Sequence, residues 1–198
     1  MKYQIYKPNQ KNTGCAMSFE IGKAKDGSPA WFINAIQQAS WNDSSKTGSF
    51  KENAKNPQKS TVVKMNANEA GEMISSIKSR IPVVFFHKFN EDTTIISFSP
   101  WDKERKIKGR NGDEVHISPA FGLTISKNSS IIFKVALEAG ETEVLAVLLD
   151  DMIKQDLFHS KEAYKQEQSA PQEKRSVSAA SAPNVQKQEF EEEDDVPF

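Results

Sequence analysis

The chain has 198 residues, 37% of them hydrophobic, with 26 basic and 27 acidic side chains and a mean hydropathy of −0.62. A single cysteine, Cys15, excludes an internal disulfide framework and suits a reducing compartment. The longest apolar run, Val144 to Leu149, is too short to cross a bilayer, and MKYQIYKPNQ carries no apolar signal segment, so a soluble protein that stays in the cell, with no membrane partner, is expected. The near-zero net charge of −1 hides an asymmetry: a mild basic excess over residues 1–158 is offset by an acidic remainder.

In chain order, KYQIYK reads as a short strand, and AMSFEIGKA alternates with Met17, Phe19 and Ile21 on one face. Asp26-Gly27 supplies hairpin chemistry into WFINAIQQASW. The polar stretch Asn42 to Lys59 reads as a mobile functional loop or a partly disordered one. STVVKM resumes as a strand. Asn66 with Glu69 then forms a capping-box signature for a helix, with Ala70, Met73, Ile74, Ile77 and Ile81 at helical spacing and Pro82 as its stop.

The order then repeats. VVFFHKF, TTIISFSPW, FGLTIS and IIFKVAL are four further strands, and Glu138 to about Phe158 is a second amphipathic helix with Val144, Leu145, Leu148, Leu149, Met152 and Ile153 on its face. The junctions share letters, VVKMNANEAGE against IFKVALEAGE, but the repeated order of elements is the stronger sign of duplication. The expected fold is α+β: four antiparallel strands plus one helix, in tandem, over about 1–81 and 82–158. The breadth of the second helix's apolar surface, Val147 beside Leu148 and Leu149, suggests a homo-oligomer, although a tandem repeat could satisfy that contact internally.

Residues 159–188 read as a flexible linker, because Ser169 to Gln188 is rich in Ser, Ala, Gln and Pro and has no aromatic to bury. The last ten residues, EFEEEDDVPF, hold six acids and end on an aromatic preceded by proline. A bare solubilising tail does not need that ending, whereas a partner's apolar pocket flanked by basic groups would capture it.

In the body, aromatic rings for base stacking lie beside basic groups for phosphates, the pairing that single-stranded nucleic acid requires. KERKIKGR supplies Lys103, Arg105, Lys106, Lys108 and Arg110, starting two residues after Trp101. Such a run is also what a plain solvated loop carries. Tyr3, Tyr6, Trp31, Trp41, Phe86 and Phe121 lie in or beside strands, with Lys2, Lys7, Lys23, Lys25, Lys88 and Lys127 nearby. Most of these rings, taken singly, would be core.

The tip Glu193-Asp194-Asp195-Val196-Pro197-Phe198 closely resembles the acidic tail of bacterial single-stranded DNA-binding proteins (SSBs), with Val196 where those have isoleucine. That resemblance implies recruitment of replication, recombination and repair proteins, with Phe198 as the anchor. The body lacks the OB-fold pattern of that family. Its doubled four-strands-plus-helix order instead resembles the Whirly-type fold, related to the eukaryotic transcriptional positive coactivator, whose members bind single-stranded DNA on strand surfaces. An SSB-like tail on such a body points to a bacteriophage protein working in the bacterial cytoplasm. An enzyme finds little support: His87, His116 and His159 lie in no HExxH or paired spacing, no phosphate-binding loop exists, and no cofactor is implied. The alternatives are a protein-binding adaptor or host-takeover factor without DNA binding and, behind it, a nucleic-acid-processing enzyme.

Overall fold

The computed structural model describes residues 2–24, 27–109 and 112–169, and residues 1–160 form one compact unit. Two four-stranded antiparallel sheets make up that unit. The first runs β1 (Lys2–Lys7), β2 (Cys15–Lys23), β3 (Pro29–Gln37) and then, past a small hairpin of β4 (Ser40–Asn42) and β5 (Thr47–Ser49) and a 3-10 turn at Lys51–Asn53, β6 (Ser60–Met65). Tyr3, Phe19, Ile33 and Val63 share one row across it, and Ile5, Met17 and Ala35 the next. These residues turn inward because residues two apart lie on one face, and all but the half-buried Tyr3 are buried.

The second sheet repeats the plan with β7 (Val83–Phe89), β8 (Asp92–Pro100), β11 (Phe121–Lys127) and β12 (Ile131–Leu137), hydrogen-bonded in that order. Its inward rows are Val83, Phe98, Leu123, Val135 and then Phe85, Ile96, Ile125, Phe133. The two inward faces share one core, and strand β12 lies against β1, β2 and β3. Each fully buried Leu, Ile or Phe contributes about 1.5–3 kcal/mol. Cys15 belongs to this core, and burial pushes its thiol up to about 11.

Each sheet is followed by a helix. In α1 (Ala67–Ser79) the Asn66 side chain accepts from the Glu69 N–H while the Glu69 carboxylate accepts from the Asn66 N–H, completing the expected capping box. Ala70 and Met73 are buried, and Ile74 and Ile77 pack beside them. Ile81 departs from the helical face: the helix has ended at Ser79, and Ile81 is 64% exposed, with its carbonyl accepting from Ser76 Oγ at 2.6 Å.

Helix α2 (Ala139–Ser169) runs past Phe158 into the stretch read as linker. Leu145, Leu148, Leu149 and Met152 are buried as expected, but Val144 is half exposed. The Glu138 N–H donates to the Glu141 carboxylate at 2.8 Å, as the Asn66 N–H does to Glu69, so residue 138 occupies the place of residue 66. The shared EAGE letters align Glu69 with Glu138 instead, three residues out of that register. The doubling is therefore real in topology and absent from that run of identical letters.

The polar stretch after Asn42 is folded, and side-chain amides organise it. Gln38 is buried; its Oε1 accepts from the Asn9 N–H at 2.8 Å, and its Nε2 donates to the carbonyls of Asn9 and Ser40. Asn53 Nδ2 donates to the carbonyls of Gln37 and Gln38. Gly48 is required where it stands: a Cβ there would lie 2.5 Å from the Pro8 Cβ.

Candidate nucleic-acid interface

Strand alternation decides what the outside offers. Strand β6, the edge of the first sheet, turns Val63 and Met65 in and Val62 and Lys64 out. Strand β7, the edge of the second, exposes Val84, Phe86 and Lys88 and ends on Phe89, which is 78% exposed. A groove of about 510 Å³ lies between these edges, lined by Val62, Lys64, His87, Lys88, Phe89 and Lys127 among others. Its floor is braced: His87 Nε2 lies 2.5 Å from Glu69 Oε1, on the carboxylate that also caps α1.

The charges in the groove are unequal. Lys127 pairs with Asp92 at 3.0 Å, and hydrogen bonds from Asn128 and then Lys127 hold the Asp92 carboxyl below the usual carboxylate range. Lys64 and Lys88 have no ion-pair partner among the described residues. A channel with free ammonium groups and an exposed ring suits a polyanion carrying flat bases.

The basic run is a strand and not a loop. Lys103 to Gly109 is β9, which pairs with β10 (Gly112–Ser118) and, among the described residues, with no other strand, as a two-stranded ribbon. Lys106 and Lys108 are exposed along it, as are Ile107, Val115 and Ile117. Trp101, 45% exposed, stands at its base, and the Trp101 N–H donates to the Ala120 carbonyl at 2.8 Å.

Several sequence candidates are placed elsewhere. Trp31 is fully buried, its ring 6.1 Å from that of Phe19, because it shares the inward row with Ile21 and Met65; it is a core residue. Phe121 is likewise core, stacked on Phe98 at 4.6 Å. Tyr3 is half-buried against Phe19 at 6.2 Å. Trp41 lies on the β4–β5 hairpin, its indole N–H donating to Asp43 at 3.1 Å, and not on a continuation of β3. Lys7 is engaged by both oxygens of Glu141, at 2.6 and 2.7 Å, and Lys103 by Glu138; these pairs tie β1 and β9 to the start of α2. Tyr6 is exposed on the outer face of the first sheet, Lys2 pairs with Glu20 at 3.7 Å, and Lys23 is exposed at the end of β2. Lys25, Arg110, the Arg105 side chain and the whole tip lie outside the described residues.

No family model matches the sequence, and no curated protein matches it significantly. Solved structures do match. WHY3 from Arabidopsis thaliana superposes with a TM-score of 0.50 at 13% identity, over 84% of this chain and 94% of that one. WHY1 from the same plant gives 0.50 at 12% identity, over 96% and 97%. The fold is Whirly-type. Identities this low speak for the architecture and not for individual residues.

Within that fold, the residues that the sequence reading passed over are Lys64, Val62 and Phe89 in the groove, and Phe50, whose ring meets Tyr6 edge to face at 5.9 Å. Lys64 and Val62 were readable from the alternation of STVVKM. The groove itself was not, because it depends on which two edges come together. Among the described residues no three His, Cys, Asp or Glu side chains gather as a metal centre needs, and no helix is long and apolar enough to cross a membrane.

Proposed function

We propose that this chain is a sequence-tolerant single-stranded DNA-binding protein of replication, recombination or repair. The groove between β6 and β7 carries the reading: Lys64 and Lys88, which have no ion-pair partner among the described residues, stand beside the exposed ring of Phe89. Phosphates would meet the ammonium groups and bases the ring, and because every base has a π-face such binding tolerates any sequence. The ribbon adds Lys106 and Lys108 as phosphate contacts outside the groove, with Trp101 as a second stacking platform at its base. Substituting both Lys64 and Lys88 by Ala should reduce the slope of log affinity against log salt by about 1.4, at about 0.7 for each lost phosphate contact on a single strand. An unchanged slope would remove the groove from the interface.

The tip, Glu193 to Phe198, would recruit partner enzymes, tethered by the part of the expected linker that follows α2, residues 170–188, and would compete with DNA for the basic surfaces. Its likeness to SSB tails supports this reading, and the combination of tail and body fits a phage protein that uses host machinery. Removing Phe198 alone should abolish capture of a host replication or recombination protein while DNA binding persists, since one buried aromatic anchor can carry about 2–4 kcal/mol whereas each exposed acid contributes under ~1 kcal/mol. Pulldowns that recover the same proteins with and without Phe198 would contradict it.

A further inference from the structure

The outer face of the first sheet carries a slot that the groove reading does not use. Its floor is Ala16 and Ser18 on β2, small side chains in the middle of the sheet. Gln4 and Tyr6 on β1 make one wall, and Asn34 and Ile36 on β3 make the other. Two strand spacings separate the walls, about 10 Å. The 3-10 turn rims the opening with Phe50, Lys51 and Ala54, so that Tyr6 and Phe50 form an aromatic corner. The slot encloses about 150 Å³. A cavity of about that size in another protein takes up a single benzene ring.

Its polar groups are as specific as its size. Asn34 Nδ2 donates to Ser18 Oγ at 3.3 Å, and the Asn34 Oδ1 and the whole Gln4 amide have no hydrogen-bond partner among the described residues. Two carboxamides, each offering a donor and an acceptor in one plane, face a ring-sized space with aromatic carbon on one side. A carboxamide of this kind pairs bidentately with a nucleobase edge. The slot also lies on the route of the bound strand: Gln4, Ser18, Asn34 and Val62 form one row across the sheet, and Val62 lines the groove. Asn34 is therefore a single strand spacing, about 4.8 Å, from the groove's lip.

We propose that this slot takes one nucleobase of the bound single strand and reads its hydrogen-bonding edge through Gln4 and Asn34, with Lys51 at the rim on a neighbouring phosphate. It rests on the single-stranded DNA reading above and adds one base-discriminating position to an otherwise sequence-tolerant surface. The test is a fluorescence-anisotropy titration of the full chain against labelled dA, dC and dT oligonucleotides of equal length at fixed salt. The unsubstituted protein should separate the best from the worst by about three- to tenfold, the range of one or two hydrogen bonds. Gln4→Ala and Asn34→Ala should each shrink that spread by about two- to threefold, and the double variant should bring it below about twofold, with the salt slope unchanged. Lys51→Ala should keep the spread and lower the slope by about 0.7. Gln4 is exposed on an edge strand, so its loss leaves the fold intact; a melting curve checks Asn34→Ala. Equal affinity for all three oligonucleotides, or a spread that survives both amide substitutions, overturns the slot while leaving DNA binding in place. The second of these is also the result expected if the slot holds a partner protein's side chain. Failure to bind any strand overturns the reading beneath it and the slot with it.

Discussion

Trp31 and Trp101 place the same side chain in opposite environments, fully buried and 45% exposed. Trp31→Ala empties a large core volume and should cost about 3–5 kcal/mol of stability. Trp101→Ala removes a ring that stands half in water, so the melting temperature should hold. If that ring stacks on bases, the substitution costs about 1–3 kcal/mol of binding and removes the fluorescence quench that poly-dT causes. Denaturant unfolding of both variants, together with a quenching titration of the second, checks the pair. Loss of stability in Trp101→Ala with full DNA affinity would return that ring to a structural role. Composition alone could not separate these residues. Trp31 shares its parity with Ile33 and Ala35, which marks one face of β3, but a single strand does not say which of its faces meets the other sheet.

At the scale of elements, the ribbon and the amide-built hairpin were the least legible parts. KERKIKGR has a single β-branched side chain, Ile107, no aromatic and no alternation of the kind that marks a strand, and the sequence reading assigns no strand to its partner, Gly112–Ser118. What makes the ribbon is unbroken antiparallel pairing, from Lys103 opposite Ser118 to Gly109 opposite Gly112. The stretch after Asn42 was unreadable for another reason: its order comes from Gln38, Asn42 and Asn53 hydrogen-bonding to backbone, which leaves no hydrophobic period. The eight strands of the two sheets were legible because each buries one face, and α1 because its capping box and apolar spacing agree. An isolated two-stranded hairpin is marginal in water, and this one pairs with no sheet, so Lys106→Ala with Lys108→Ala should leave unfolding of the body unchanged. The same double variant should lower the salt slope of single-strand binding by about 1.4. A drop in stability without a change in slope would make the ribbon structural and take it out of the interface.

The whole molecule is one four-strand-and-helix plan used twice, with hairpins inserted at different points: after the third strand of the first sheet and after the second strand of the other. That asymmetry leaves the two outer faces unlike each other. The first carries an open slot lined by the carboxamides of Gln4 and Asn34, and the second carries exposed Val84, Phe86, Ile95 and Ile132. Between them, where β6 and β7 stand as edges, Lys64, Lys88 and Phe89 collect. Under the proposed function, a flexible strand would lie across these sheet edges. The most direct test is the affinity of the full chain for a labelled single strand and for a duplex of equal length, each measured over a series of salt concentrations. Tight single-strand binding whose logarithm falls linearly with log salt, at about −0.7 per phosphate contact, with duplex bound far more weakly, is the predicted result. Equal affinity for the duplex, or single-strand binding indifferent to salt, would contradict it.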